Sequence, residues 1–269
     1  MMSEKLIIFD YSGTLSLDAV SFGEEDNLTG ELKRSGLAGL GIADPETFWE
    51  EIVNPAWQEG STSSIGYIEI MFRRIKDLFS PAVSDEEIRL CAERFVESYL
   101  MHSPIDSRWR SILRKLNREA SVITVIATDH YAEATGYIAG FLKEAGTGSI
   151  PLKGVSDSTV PSKFIVANSA DMGVHKADQG FWEMLKDALS LHIVRDILIV
   201  DDFGINEEAG NSYAEHQKVE DRKRKTIDLL KRVFNVPVCA IQFVLAGKDE
   251  KTRGDLISQT ALEIEQWLK

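Results

Sequence analysis

Short apolar runs recur along the chain, and each is followed by a polar turn and then by a helical pattern. The first run, from Leu6 to Phe9, ends at Asp10 and at a turn that contains Gly13. Apolar runs of this length bounded by turn residues are typical of buried strands. The pattern predicts strands near residues 5–10, 121–128, 163–168, 197–201 and 236–245. Strands that alternate with helices indicate an α/β fold with a parallel sheet and helices on both faces.

Residues 17–103, which lie between the first two predicted strands, carry helical patterns instead. Asp44 followed by Pro45 predicts a helix start, because Asp is a good N-cap and Pro fits the first helical position. Ser84 opens another amphipathic segment with the capping-box sequence Ser-Asp-Glu-Glu. The chain is therefore expected to form one α/β core with an all-helical insert. The predicted division is 1–16 and 104–269 for the core and 17–103 for the insert.

Composition agrees with a globular protein in a reducing compartment. The 269 residues carry a formal net charge of −13, which argues against nucleic acid as a partner. No apolar run is long enough to span a bilayer, and the first strand begins too early for a secretory signal. Cys91 and Cys239 lie in apolar surroundings without metal-type spacing, so both are expected to pack in the core. We expect a cytoplasmic protein.

Polar residues stand at the ends of three of the predicted strands. Asp10 follows the first strand, Thr128 ends the second, and the pair Asp201-Asp202 ends a later one. The carboxyl ends of parallel strands meet at the edge of the sheet where ligands bind. Two adjacent buried carboxylates are costly unless they bind a cation or accept hydrogen bonds. Mg²⁺ suits such a site, because it takes oxygen ligands and retains several waters.

These segments resemble, in order, the four motifs of the haloacid dehalogenase-like (HAD) superfamily. Asp10-Tyr11-Ser12-Gly13-Thr14-Leu15 is similar to the nucleophile motif Asp-x-Asp-x-Thr-Leu, except that Ser12 replaces the second Asp. The run that ends at Thr128 looks like the second motif. Lys176, just before a helical pattern, matches the lysine of the third motif. Asp201-Asp202 resembles the paired-Asp form of the fourth motif, with Asn206 in place of a later acid.

The resemblance implies a Rossmann-like fold with a cap domain and a Mg²⁺-dependent phosphatase activity on a small phosphorylated metabolite. Asp10 would form an aspartyl phosphate, and Thr128 and Lys176 would stabilise charge on the transferring group. The metal would be held by Asp10, the Ser12 carbonyl and Asp202. The resemblance further implies water-orienting roles for Asp201 and Asn206, and phosphoryl contacts for Ser12, Gly13, Thr14 and Asp129. Neither nucleic acid nor a membrane is expected as a partner.

Ser12 leaves the acid/base step open, because the missing carboxylate is the group that protonates the leaving group and activates water in family phosphatases. General acid–base help of this kind is worth roughly 10²–10⁴-fold. A substrate with a good leaving group, such as an acyl phosphate, is one solution. A substitute acid or base is another, and Asp129, His130 and His102 are the candidates.

Three other functions remain as alternatives. A phosphonatase-like C–P hydrolase also lacks the second Asp, but it needs a cap lysine, and only Lys33 and Lys76 are available without any motif around them. A catalytically weakened binding or regulatory protein would not require all the retained motif residues. A haloacid dehalogenase proper is disfavoured, because it uses no metal and does not need Asp201 and Asp202 together.

Overall fold

Six parallel strands form a single sheet. The computed structural model describes residues 5–79, 82–155, 164–191, 194–206, 216–247 and 249–269. Within these residues the strands are β1 (Lys5–Phe9), β2 (Val122–Thr128), β3 (Ser149–Pro151), β4 (Phe164–Asn168), β5 (Asp196–Asp201) and β6 (Val238–Gln242). Their order in the sheet is β3-β4-β2-β1-β5-β6, and every neighbouring pair is parallel. The predicted α/β class with a parallel sheet is confirmed.

The strand order changes direction beside β1. The chain runs outward from β1 through β2 to the β3–β4 edge, and then crosses to β5 and β6 on the other side of β1. The loops that follow β1 and β5 therefore diverge and leave a crevice at the carboxyl ends of these strands. Ligands of open parallel sheets bind at such a point. The topology thus places the residues that follow β1 and β5 at the expected binding site.

Helices fill the connections between the strands. Those between β1 and β2 are α1 (Asp18–Phe22), α2 (Glu25–Ser35), α3 (Pro45–Thr47), α4 (Trp57–Ser61), α5 (Tyr67–Phe79), α6 (Asp85–Met101) and α7 (Arg110–Arg118). Later in the chain are α8 (Ala134–Glu144), α9 (Ser169–Met172), α10 (Gln179–Ala188), α11 (His216–Phe234) and α12 (Glu250–Leu268). Short 3₁₀ helices lie at Leu37–Leu40, Asn54–Ala56, Ser107–Trp109 and Leu152–Gly154, and a π-helix spans Phe48–Val53.

Both faces of the sheet are covered. Successive side chains of a strand point to opposite faces, and in β1 the four from Leu6 to Phe9 are all buried. Ile7 and Phe9 belong to one apolar cluster, which includes residues of α7, α8 and the helices before β2. Leu6 and Ile8 belong to a second cluster, which includes residues of α10 and α11. The unbroken apolar run of β1 is explained by this two-sided burial.

The predicted helix starts are confirmed, but one helix is not continuous. The Asp44 carboxylate accepts from the Thr47 amide at 2.8 Å, and the Ser84 hydroxyl accepts from the Glu87 amide at 3.2 Å. The segment after Asp44 passes from α3 into the π-helix and a 3₁₀ turn before α4 begins. Pro55 lies in that turn, and its missing N–H prevents a regular α-helix from running through it.

Some expectations are corrected or fall outside the described residues. Cys91 is buried but Cys239 is exposed, so the expectation that both pack in the core is wrong for Cys239. The reason is that Cys239 belongs to β6, an edge strand whose side chains are only partly covered. β3 and α12 were not predicted. Residues 207–215, which follow Asn206 of the fourth motif, lie outside the described residues.

The helices before β2 rest on loops at the carboxyl edge of the sheet. The Tyr11 hydroxyl, just after β1, donates to the Ser103 carbonyl. The Glu133 carboxylate, after β2, accepts from the Tyr67 amide at 2.9 Å and from the Ile68 amide at 3.3 Å. The helical stretch, which comprises α1 to α6, is thereby held over the crevice. Its boundaries at 17–103 and its role as a cap domain stay predictions. Among the described residues, no helix is long and apolar enough to cross a membrane.

Trp109 provides a test of this core. Its indole is fully buried, packs edge-on against Phe9 with ring centres 5.8 Å apart, and donates to the Thr14 carbonyl at 3.1 Å. We expect Trp109→Phe to lower the free energy of unfolding by about 2–4 kcal/mol, because it removes apolar volume and leaves a buried carbonyl unpaired. Urea unfolding is the measurement. Trp49→Phe is the control, since Trp49 is 40% exposed, and equal effects of the two substitutions would contradict the prediction.

Candidate functional site

Three carboxylates meet where β1 and β5 end. Asp10 follows β1, Asp201 is the last residue of β5, and Asp202 comes next. The strand register pairs Phe9 with Val200, which puts Asp10 beside Asp201. One carboxylate oxygen from each of the three acids lies within 4.8 Å of the other two, and all three acids are buried. The predicted metal ligands Asp10 and Asp202 are therefore neighbours, and Asp201 completes the cluster.

Burial of these carboxylates favours their protonated forms. It raises the pKa of Asp10 from 3.8 to about 7, a shift that the Lys176 ammonium opposes and the Asp201 carboxylate increases. Burial, followed by the charges of Asp10 and Asp201, also raises the pKa of Asp202 well above its ordinary value. Adjacent buried carboxylates ionise together only when a cation offsets their repulsion. The oxygen donor set and its charge fit a divalent ion such as Mg²⁺.

Lys176 supplies one positive charge to the cluster. Its ammonium pairs with Oδ1 of Asp10 and lies 3.6 Å from Oδ2 of Asp201. Burial disfavours the ammonium, but Asp10, Asp201 and Asp129 together raise the pKa of Lys176 well above its usual range. The cluster of Asp10, Asp201 and Asp202 thus has three carboxylates and one neighbouring ammonium. Lys176 alone leaves an excess of negative charge that a bound divalent cation would neutralise.

The loop after β1 is packed against Asp202. Gly13 has φ of +75°, and a Cβ at this position would lie 2.7 Å from Oδ2 of Asp202, so only glycine fits without a shift. The Thr14 hydroxyl accepts from the Asp202 amide at 3.1 Å. The Gly13 amide donates to the Ser16 carbonyl at 2.9 Å within the turn. The structure gives Gly13 and Thr14 loop-shaping contacts, and the predicted phosphoryl contacts of Ser12, Gly13 and Thr14 stay predictions.

The second motif contributes Thr128, the last residue of β2, and Asp129, which follows it. Thr128 is buried at the end of β2, in register with Asn168 of β4. The Asp129 carboxylate accepts from the Lys176 amide at 2.8 Å. This bond places the backbone of Lys176 beside the crevice. Phosphoryl binding by Thr128 and Asp129 stays a prediction, but Asp129 has a positioning contact that the sequence did not reveal.

Asn206 ties several backbone segments together. Both of its amide hydrogens are used, one to the Gly13 carbonyl at 2.8 Å and the other to the Phe243 carbonyl at 2.9 Å. Its side-chain oxygen accepts from the backbone N–H of Leu245 at 2.9 Å. The backbone N–H of Asn206 donates to Oδ2 of Asp202 at 3.1 Å. A carboxylate could not donate these two side-chain bonds, which explains an Asn at this place. The predicted orientation of metal-bound water by Asp201 and Asn206 stays a prediction.

The histidines proposed as substitute acids are engaged elsewhere. His130 is buried, with Nε2 2.9 Å from the Tyr99 hydroxyl and Nδ1 accepting from the Tyr131 amide at 2.9 Å. Burial lowers the pKa of His130 to about 4, so the ring is neutral near pH 7. His102 is exposed at the end of α6, and its Nδ1 lies 2.7 Å from the Ser98 carbonyl. The geometry favours neither histidine as a replacement for the missing carboxylate.

His175 was not predicted from the sequence as a site residue. It precedes Lys176, and its Nε2 lies 2.6 Å from the hydroxyl of Ser61 at the end of α4. Its ring stacks on Trp57 with the centres 6.2 Å apart and the planes 13° from parallel. Its position beside Lys176 was the one available signal, because the partner Ser61 is distant in the sequence and lies in a segment without a motif.

The chain is similar to known proteins in structure and not in sequence. No family model and no curated protein matches the sequence. Among solved structures, the chain is similar to a 2-haloacid dehalogenase from Pseudomonas syringae pv. Tomato DC3000, at 20% identity and a TM-score of 0.46, over 80% of this chain and 84% of that one. At this level of similarity, conclusions about chemistry depend on the residues of this chain. The all-parallel sheet is consistent with the HAD-like fold that the motifs predict.

The carboxylate cluster predicts opposite effects of Asp202→Asn with and without metal. Without Mg²⁺ the variant should be more stable than the parent near pH 7.5 by about 1–2 kcal/mol, because one buried carboxylate is gone. At a free Mg²⁺ concentration about 100 times its Kd, the parent should gain about 2.7 kcal/mol and the variant nothing. Thermal unfolding is the measurement. Asp255→Asn, on an exposed carboxylate, is the control, and equal Mg²⁺ effects in both variants would contradict the metal assignment.

The same cluster predicts the pH dependence of stability. The pKa of Asp10 is about 7 in the folded chain against an ordinary 3.8, so between these values the folded state binds more protons than the unfolded state. Without metal, the stability of the parent protein relative to Asp10→Asn should therefore fall as the pH rises from about 4 to about 7. The comparison cancels the opposite contribution of His130, whose pKa burial lowers to about 4. Saturating Mg²⁺ should weaken this fall, since it binds the ionised carboxylates. Unfolding curves of both proteins at several pH values test both signs, and a metal-free difference that rises over this range would contradict the assignment.

Proposed function

We propose that the chain is a Mg²⁺-dependent phosphohydrolase that acts on a small phosphorylated molecule through an aspartyl phosphate on Asp10. The observation that carries the proposal is the cluster of Asp10, Asp201 and Asp202, buried beside Lys176 at the crevice of the sheet. Phosphoryl transfer needs positioning and cationic charge more than covalent machinery. The cluster offers a nucleophile, an ammonium and a cation site within one small volume.

Asp10 is the nucleophile of the proposal. Its carboxylate attacks phosphorus, the bond to the leaving group breaks, and the phosphoryl group is held on Asp10 as a mixed carboxylic–phosphoric anhydride. Attack of water on phosphorus then releases phosphate and restores the Asp10 carboxylate. The ammonium of Lys176 orients the carboxylate and offsets charge on the phosphoryl oxygens. Asp10, the Ser12 carbonyl and Asp202 would hold Mg²⁺. When bound, the ion would keep Asp10 ionised and neutralise charge on the transferring group.

Ser12 directs the proposal toward substrates with good leaving groups. A serine hydroxyl gives up its proton far less readily than a carboxylic acid, so it is a poor general acid near neutral pH. Both ring nitrogens of His130 are hydrogen-bonded to other groups, and His102 is exposed at the end of α6. An acyl phosphate departs as a stable carboxylate and requires little protonation. Acyl phosphates are therefore the substrates we expect to react fastest.

Carbon–halogen hydrolysis is the second candidate, and Ser12 is the observation that favours it. Halide leaves without a proton, so Asp10 and Lys176 could suffice for the displacement. The pair Asp201-Asp202 argues the other way, since a displacement without metal has no use for two more buried carboxylates. C–P hydrolysis is less well supported, because Lys33 is exposed and the Lys76 ammonium pairs with Asp85 at 2.6 Å.

The remaining expectations are parts of the same proposal. The partner is a small phosphorylated molecule, and the net charge of −13 disfavours nucleic acid. Cytoplasmic location is supported by two free thiols. The helices over residues 17–103 act as the cap that covers the crevice and selects the substrate. A purely regulatory protein is disfavoured, because Asp10 and Lys176 are held in direct contact.

The proposal is tested by turnover with acetyl phosphate, p-nitrophenyl phosphate and a 2-haloacid, each with and without Mg²⁺. We expect Mg²⁺-dependent release of phosphate, fastest from acetyl phosphate, and reduction to background in Asp10→Asn. Labelled water distinguishes the two reactions. Attack of water on phosphorus in the phosphoenzyme puts the oxygen label in the released phosphate. Displacement of halide would instead give an alkyl ester of Asp10, and attack of water on its carboxyl carbon would put the label in Asp10. Metal-independent halide release with label in Asp10 would replace the phosphatase assignment.

Ser12→Asp tests the acid/base argument. The added carboxylate should speed decay of the Asp10 phosphoenzyme by about 10²-fold, at the low end of the range for a general base, because the pocket is not shaped around it. Ser12→Asn is the matched control, since it has the same shape without a titratable group. Rapid-quench measurement of phosphoenzyme decay decides. Equal decay in the parent protein and Ser12→Asp would mean that another group already activates water.

A further inference from the structure

Ser61 joins the helices before β2 to the loop that carries Lys176. It is fully buried at the end of α4, and its hydroxyl lies 2.6 Å from Nε2 of His175. The same hydroxyl donates to the Trp57 carbonyl at 2.5 Å, so it accepts its second bond from the His175 ring N–H. Its carbonyl accepts from the Ser169 hydroxyl at 2.6 Å. The hydroxyl and the carbonyl of Ser61 are both satisfied by this arrangement.

Three contacts hold the backbone of Lys176 and the preceding residue, His175, in place. The Lys176 amide donates to the Asp129 carboxylate at 2.8 Å, and its carbonyl accepts from the Trp182 indole at 2.8 Å. The preceding side chain, His175, supplies the third support through Ser61 and the stacked ring of Trp57. Asp129 and Trp182 belong to the core. Ser61 and Trp57 belong to the helical stretch that covers the crevice.

The helical stretch packs tightly on the loops beside Asp10. Asp10 is only 8% exposed, and the helical stretch rests on the loops around it. Gly60 packs so closely on Tyr131 that an added Cβ would lie 2.4 Å from the ring. α4 is therefore firmly seated on these loops, and Ser61 and Trp57 hold the His175 ring from that position.

We propose that the Ser61–His175 contact couples the helical stretch to the placement of Lys176, with His175 as the positioning residue. The His175 ring is fixed by a hydrogen bond and by stacking, and the Lys176 ammonium pairs with Asp10. Without the contact Lys176 keeps only its two core supports. The importance of this coupling for catalysis rests on the proposed function, but the coupling itself is independent of any activity.

The first test is hydrogen exchange of the free protein, followed at the Lys176 amide and at residues 57–61. His175→Phe keeps a ring to stack on Trp57 but loses the hydrogen bond, and Ser61→Ala removes the same bond from the other side. We expect each to speed exchange at the Lys176 amide about 5–30-fold, as loss of one buried hydrogen bond implies. His175→Gln, which retains a donor, should recover part of the protection.

Ser98→Ala is the matched control, because Ser98 also lies beside a histidine, His102, but belongs to α6 and not to α4. Its exchange at Lys176 should equal that of the parent protein. Exchange in α12 serves as an internal reference for global destabilisation. The proposal is overturned if Lys176 exchange is unchanged in Ser61→Ala and His175→Phe, or if α12 accelerates by the same factor.

The second test is kinetic and uses acetyl phosphate with Mg²⁺. Ser61→Ala and His175→Phe should lower kcat about 5–30-fold with little change in KM, because Lys176 is misplaced after the substrate has bound. His175→Gln should restore part of kcat. A rise in KM alone would contradict the positioning role. Absence of turnover in the parent protein would remove the proposed function while the exchange result still decides the coupling.

Discussion

Repulsion among three buried carboxylates is the constraint on which the site depends. Asp10, Asp201 and Asp202 are brought together by the register of β1 and β5, and apolar packing on both faces of the sheet keeps them there. Such a cluster is unfavourable unless positive charge is supplied. Lys176 supplies part of it, and a divalent cation would supply the rest. The need for that charge makes this edge of the sheet a candidate cation site.

The backbone around the carboxylates is held by side chains with few alternatives. Gly13 allows the first loop to pass within contact distance of Asp202, and Asn206 bonds that loop to the end of β6. Asp129 fixes the amide of Lys176 in the same way. These bonds hold the charged groups in fixed positions, which is the arrangement that electrostatic preorganisation requires. The helices before β2 add the Ser61–His175 contact beside Lys176.

Sequence patterns predicted the core far better than the contacts between distant segments. The strand at Leu6–Phe9 and the acids at Asp10 and Asp201 follow from local patterns, since an apolar run ending in a carboxylate has few other uses. β3 escaped prediction because three residues are too short to show a period. The Ser61–His175 contact escaped because its partners are far apart in sequence and neither lies in a periodic pattern. Cys239 was misjudged because a sequence does not reveal which strand lies at the edge.

The most direct test of the account is to trap a phosphoryl group on Asp10. The protein is mixed with acetyl phosphate, quenched in acid within its first turnovers and digested. The peptide masses are then measured by mass spectrometry. We expect the mass of one phosphoryl group on the peptide that contains Asp10, removable by hydroxylamine, present with Mg²⁺ and absent when the metal is chelated. A modified peptide elsewhere in the chain, or turnover of acetyl phosphate with Asp10 unmodified under every quench condition, would contradict the account.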